Sequence, residues 1–306
     1  MRQRPYDEGR VLRYLAWTFG IAYVLQAGVG ALAAAGDDVG SRVAISAMMF
    51  IPAVGALLCD VRPADLGMRP RLRENGRYFA LAWFGPLALT IAGALLYFLV
   101  FPAHLDLTGA FLRQMAGPEA LDQLAEAGLS VPLLALVNAV AAVTYAPLIN
   151  TVLAFGEEVG WRAFLYPQLK QRYGRVGGIV LGGIVWGMWH WPLIGAIGYE
   201  YGVDYAGFPL TGMAIFCVFT IACGAVCDWL YERTRTIWAP SVFHGAMNAA
   251  ASLPLLLCAV DTGTARLAGP APNGLVAGPP FAALAVALVV RGKRPSTEGE
   301  RDRARG

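Results

Sequence analysis

Eight long apolar runs constrain this chain more than any other feature. They fall at about residues 13–35, 43–59, 78–101, 131–156, 176–195, 208–231, 236–258 and 274–290. Each is near the ~20 residues that carry a helix across the ~30 Å hydrocarbon core of a bilayer. Only 15% of the 306 residues are charged, against about 25% in an ordinary soluble domain, so a soluble globular enzyme is excluded. The expected fold is an all-α polytopic membrane protein with about eight transmembrane helices. It forms one domain over residues 1–306, with a motif-bearing core at about 130–260.

Local signals refine the runs. The fourth should continue past its apolar part as an amphipathic helix through Tyr166 to Arg172, with a kink at Pro147. Pro279 and Pro280 interrupt the start of the eighth. Residues 106–127, with Phe111, Leu112, Met115, Leu121 and Leu124 among acids, read as one or two short amphipathic helices at the membrane surface. The first run is long and lacks a small-residue cleavage site, so it reads as an anchor that stays rather than a signal peptide. The five cysteines show no C-x-x-C spacing, which excludes a disulfide scaffold or zinc ribbon. A net charge of +3, with arginines scattered between apolar runs, gives no nucleic-acid surface. The bilayer is the expected partner, and the basic stretch 291–306 reads as a disordered cytoplasmic tail drawn to anionic lipid.

Basic residues collect in cytoplasmic loops. With eight spans both termini share one side, and that side takes 21 of the 24 basic residues, leaving only Arg42, Arg113 and Arg266 for the other. The other side carries acids instead, among them Asp37, Asp38, Glu200 and Asp204. Both termini are therefore expected in the cytoplasm. Arginine outnumbers lysine 22 to 2 in an Ala- and Gly-rich chain, which suggests a GC-rich bacterial genome and hence a bacterial plasma membrane.

Ionisable side chains inside a span cost at least a few kcal/mol and usually face a bundle interior or a wet cavity. Three segments carry them: Glu157, Glu158 and Arg162 at the end of the fourth run, His190 in the fifth, and His244 with Asn248 in the seventh. The fourth and fifth runs are antiparallel about a turn near Gly174. Glu157 lies 17 residues before it and His190 16 after, so the two sit at similar depth. Glu158 and Arg162 are spaced i,i+4 and share a helix face, while Glu157 points about 100° away. Arg162 is expected to brace Glu158, leaving Glu157 to act as base on a water. His244 and Asn248, again i,i+4, could stabilise an oxyanion, and His190 could orient the water or shuttle its proton. The spans are expected to enclose a polar cavity open to the cytoplasm.

Glu157-Glu158-x-x-x-Arg162, an aromatic-x-x-x-His ending at His190, and His244-x-x-x-Asn248, in that order on three apolar helices, resemble the three motifs of the CAAX protease and bacteriocin-processing family. These are intramembrane endopeptidases that include the type II CAAX prenyl proteases. The resemblance implies Glu157 as the water-activating glutamate with Glu158 and Arg162 in support, His190 assisting, and His244 with Asn248 as the oxyanion site. The second motif usually begins with Phe; Trp186 stands there in this chain and is expected to preserve packing. Two histidines and a glutamate also match the inventory of a catalytic zinc site, with His190, His244 and Glu157 as its ligands. The chain has no H-E-x-x-H, and a metal-free glutamate mechanism without a cofactor is favoured. The substrate is expected to be a membrane-associated protein or peptide, with CAAX-type processing as one form. The competing reading is a non-catalytic transporter or an immunity or binding protein using the same cavity.

Overall fold

The computed structural model describes residues 5–259 and 263–291; apart from Arg291, the basic stretch 291–306 lies outside the described residues. Among these the chain is helical with no strand, as expected of an all-α membrane protein. Helix α1 (Glu8–Ala34) starts at Asp7, whose carboxylate accepts from the Arg10 amide and caps the first turn. The next span is broken: α2 (Asp38–Met48) stops, and α3 (Ile51–Leu58) restarts with Pro52 in its first turn, where no amide donor is required. After α4 (Leu72–Val100) come two short helices, α5 (Ala110–Ala116) and α6 (Glu119–Glu126), within the stretch 106–127. A bend of 80° separates α6 from α7 (Val131–Ala141). Helix α8 (Ala146–Gly160) passes through a π-helical turn, Trp161–Leu165, into α9 (Tyr166–Trp189). Then follow α10 (Trp191–Ile197), α11 (Leu210–Thr234), α12 (Trp238–Ala250) and α13 (Pro279–Arg291).

Among the described residues, five helical stretches are long and apolar enough to cross a membrane, or six if α6 and α7 are taken together. The longest, Ala146–Ile197, is a hairpin. Gly174 has φ 72° and ψ 173°, a backbone that favours glycine. A Cβ on Gly178 would lie 2.5 Å from the Lys170 nitrogen and one on Gly182 2.5 Å from the Tyr166 ring, so the two limbs pack antiparallel about residue 174. The eight expected spans are not all met by length and composition. Helices α12 and α13 have 13 residues each, about 20 Å, short of the ~30 Å core. The seventh run leaves the α-helix at Ala250 for a 3-10 turn, Leu253–Leu257, and the Pro279–Pro280 pair delays the start of the eighth. The fourth run is also split, by a non-helical segment at 142–145. Pro147 therefore kinks nothing; it sits in the first turn of α8.

Hydrogen bonds between loops define the two ends of the molecule. At one end, the Asp7 amide donates to Gln168 Oε1 at 3.0 Å, Arg10 donates to the Cys59 carbonyl, and Trp238 Nε1 donates to the Met68 carbonyl at 2.8 Å. The basic loops at 62–77, 162–175 and 233–235 thus meet at the end that holds the Gly174 tip. At the far end, the Ala259 amide donates to the His104 carbonyl at 2.8 Å, and the Tyr201 hydroxyl to the Asn273 carbonyl at 2.9 Å. Between the ends polarity is inverted relative to a soluble protein. Large side chains left exposed on the spans are apolar, such as Val24, Leu95, Leu99, Ile149 and Val218, whereas Glu157, Glu158, Arg162 and Asp228 are buried. Hydrocarbon solvent requires that arrangement, and the chain is an integral membrane protein.

Candidate active site

Glycine brings the backbones of the site helices into contact in two pairs, α12 with α8 and α9 with α11. A Cβ on Gly245 of α12 would come within 2.4 Å of the Thr151 nitrogen in α8, so α12 rides directly on α8 and carries the neighbouring His244 to it. A Cβ on Gly183 would lie 2.4 Å from Ile221 Cα, which seats α9 equally close to α11.

Glu158 and Arg162 sit one helical turn apart, fully buried. Arg162 donates through Nε to Glu158 Oε2 at 2.7 Å and through Nη2 to Oε1 at 3.3 Å. Its guanidinium also lies over the rings of Tyr166, at 4.2 Å, and Trp186, at 5.0 Å. His244 Nδ1 is 2.9 Å from Glu158 Oε1. A buried ion pair holds only when its remaining lone pairs are satisfied; here the guanidinium and the imidazole share the carboxylate.

Glu157, 2% exposed, has a different environment. Its Oε2 accepts from Trp186 Nε1 at 2.7 Å and from Trp161 Nε1 at 3.2 Å. Both donors are neutral, and among the described residues no cation pairs with Glu157. Trp161 begins the π-helical turn, a device common at functional sites. It lies at i+4 from Glu157, as Arg162 does from Glu158, so the two adjacent carboxylates are each braced by a residue one turn on. That spacing is visible in the sequence, but an indole donor is not. Trp186 does more than preserve packing: a Phe in its place has no hydrogen to donate to Glu157.

The histidine tautomers follow from their partners. His190 Nδ1 is 3.0 Å from the Trp186 carbonyl, which only accepts, so Nδ1 carries the proton and Nε2 keeps its lone pair. His244 Nδ1 likewise faces an oxygen of the carboxylate that Arg162 holds, so Nδ1 carries the proton. His244 therefore donates from Nε2 only as the imidazolium.

Glu157, His190, His244 and Asn248 line one cavity of about 70 Å³, with Tyr199 and Glu200 toward the far end, room for a few water molecules. Glu158 and Arg162 stand behind it. The expectation that this cavity opens at the end bearing the basic loops is not met. Glu200 is the exposed side chain in its wall, and it belongs to the loop between α10 and α11 at the far end. On the other side, Trp161, Arg162 and Tyr166 are fully buried and close the path to the Gly174 tip. The reason is depth. Sixteen or seventeen residues from the tip is about 25 Å along a helix, so equal depth for Glu157 and His190 means equal distance from the basic end, not nearness to it. Although Glu200 is exposed in part, Tyr199 and Asn273 enclose its carboxyl, and that burial pushes the group above the ordinary carboxylate range against their hydrogen bonds.

Among the described residues no group of three or more His, Cys, Asp and Glu side chains is placed to hold a metal ion, and the trio His190, His244 and Glu157 is not so grouped.

Residues 131–250 match the family described as type II CAAX prenyl endopeptidase Rce1-like. The chain is also similar to CAAX prenyl protease 2 of Methanococcus maripaludis, 28% identical over 93 residues that cover 30% of this chain and 34% of that protein. The match thus spans about a third of the length of the relative. The family match brackets all three motifs, from before Glu157 to beyond Asn248.

Proposed function

Because the chain belongs to the CAAX protease and bacteriocin-processing family, we propose that it is an intramembrane endopeptidase that hydrolyses a peptide bond with water activated by Glu157. The observation that carries this reading is the contrast between the paired carboxylates. Glu158 is neutralised by Arg162 and bonded to His244, whereas Glu157 faces the cavity with neutral donors on Oε2 alone. One oxygen is anchored and the other is left for a water.

In the proposed reaction the water loses a proton to Glu157 as its oxygen bonds to the scissile carbonyl carbon. His190 Nε2 accepts from the same water and fixes its lone pairs on the carbon. Charge that develops on the carbonyl oxygen is met by the Asn248 amide and by His244 as the imidazolium, which Glu158 holds in place through Nδ1. Collapse breaks the carbon–nitrogen bond, and the proton held by Glu157 passes to the leaving amine. Glu158 and Arg162 touch no reacting atom; they position His244. The residues supply base, donors and proton transfer without a metal, and we favour the glutamate-type mechanism over a metalloprotease.

The substrate in this reading is a membrane-associated protein or peptide, with CAAX-type processing one form of it. We place both termini in the cytoplasm of a bacterial plasma membrane from the bias of basic residues, and the Glu200 mouth then faces away from the cytoplasm. Comparing the membrane proteome and released peptides of a Glu157→Gln strain with wild type tests the activity: fragments lost only in the variant strain support it, and identical profiles refute it. Sidedness is tested by thiol labelling of intact cells, against a low background because all five native cysteines are buried. An impermeant maleimide should label Val203→Cys and spare Arg172→Cys; the reverse pattern inverts the topology.

A further inference from the structure

Glu200 is a residue that the reaction above does not use, and its geometry needs an account. It has φ 69°, in the left-handed region that a side chain disfavours. Its carboxylate accepts from Asn273 Nδ2 at 2.8 Å. This bond joins the α10–α11 loop to the segment before α13, and the Tyr201 hydroxyl ties the same two segments through the Asn273 carbonyl. Among the described residues no Lys or Arg pairs with Glu200. Glu157, at the inner wall, has no cation either. No Lys or Arg lines the cavity, and Glu157 and Glu200 are its two acidic residues, one buried deep and one at the mouth. A space of this sign draws positive charge.

We propose that Glu200 is a specificity-determining residue that selects substrate segments carrying a basic side chain, whose cation replaces the Asn273 amide on the Glu200 carboxylate. The proposal rests on the peptidase reading. The same exchange opens the mouth: a cavity of about 70 Å³ admits water but no peptide, and the Glu200–Asn273 hydrogen bond is a tie between two far-end segments that a cation can release. Glu200→Gln is the informative variant, because it keeps the size and an acceptor oxygen for Asn273 and removes only the charge.

The test is to incubate the purified protein, reconstituted in lipid nanodiscs, with a randomised peptide pool and to sequence the products. Wild type should enrich Lys and Arg at one position relative to the cut by about tenfold. Glu200→Gln should flatten that position and leave the others unchanged, and Glu200→Lys should turn it toward Asp and Glu. Equal Lys and Arg frequencies in wild-type and Glu200→Gln products overturn the proposal. A second arm separates it from failure of the peptidase reading. Fluorescein-labelled nonapeptides with one Lys, and the same peptides with Gln there, are bound to Glu157→Gln protein and followed by anisotropy. If no peptide is cut by any variant, the peptidase reading fails. The Glu200 proposal then stands only if the Lys peptides bind tighter than their Gln counterparts and Glu200→Gln abolishes the difference; equal binding overturns it.

Discussion

Replacing Trp186 by Phe removes one hydrogen-bond donor from Glu157 and keeps an aromatic ring in the same place. Trp186 Nε1 lies 2.7 Å from Glu157 Oε2, while the second donor on that oxygen, Trp161 Nε1, is at 3.2 Å. The shorter bond is the stronger tether. Hydrogen bonds to a charged group contribute about 1.5–3 kcal/mol, which converts to roughly 10- to 100-fold in rate if it is expressed fully in positioning the base. An opposing effect exists, since a carboxylate with fewer donors is a stronger base, but a Brønsted gain of a few-fold at most is smaller than the orientation loss. Peptide cleavage by Trp186→Phe protein should therefore show kcat lowered by about tenfold or more with KM little changed. Trp161→Phe, which removes the longer bond, should lower kcat less. Unchanged kcat in Trp186→Phe protein, or a larger loss in Trp161→Phe, would refute the assignment of Trp186 as the principal tether of Glu157.

Three further outcomes follow from the same structure. Arg162→Met leaves the Glu158 carboxylate buried without its guanidinium, which should destabilise the fold by about 3–5 kcal/mol in an SDS unfolding titration; the double variant Glu158→Leu/Arg162→Met should recover part of that loss, and simple additivity of the two changes would contradict a coupled pair. Gly245→Ala should separate α12 from α8 and move His244 off Glu158, so activity falls sharply while Gly20→Ala, with open space around its Cβ, behaves as wild type; an active Gly245→Ala protein would show that the contact is not needed. Burial raises the Asp106 carboxyl, but hydrogen bonds from Thr108, Ala110 and Gly109 outweigh it and hold the group below its ordinary value. Its contribution is thus present above the unfolded-state value and lost as pH falls through the folded one. Protection factors for amide hydrogen exchange at 107–116, corrected for the intrinsic rate at each pH, should fall on acidification and, in Asp106→Asn, be low already at neutral pH; protection factors that do not change would contradict the cap.

Much of the fold was legible because period and length are strong signals in apolar sequence. The turn at Gly174, the antiparallel limbs about it and the i,i+4 pair of Glu158 and Arg162 all follow from spacing. Spacing does not report where a helix stops when the chain stays apolar, which is why 236–258 read as one span although the α-helix ends at Ala250. Pro147 shows the same ambiguity: proline kinks a helix interior but suits a first turn, and only the non-helical segment at 142–145 decides between them. At the site, the sequence marks which groups are ionisable but not which neutral groups donate to them. Trp161 and Trp186 look like apolar filler until their indole hydrogens are seen on Glu157. The mouth at Glu200 was hidden for another reason, since it depends on which end of three converging helices is sealed by packing.

The proposed hydrolysis turns on activation of water by Glu157. Its most direct test is cleavage by purified, reconstituted protein in H₂¹⁸O, with wild type and Glu157→Gln compared at equal unfolding stability. Wild type should place one ¹⁸O in the new C-terminal carboxylate of the product, and Glu157→Gln should yield no product. Cleavage at the wild-type rate by Glu157→Gln, or coupled ion uptake without any ¹⁸O-labelled product from either protein, would contradict it.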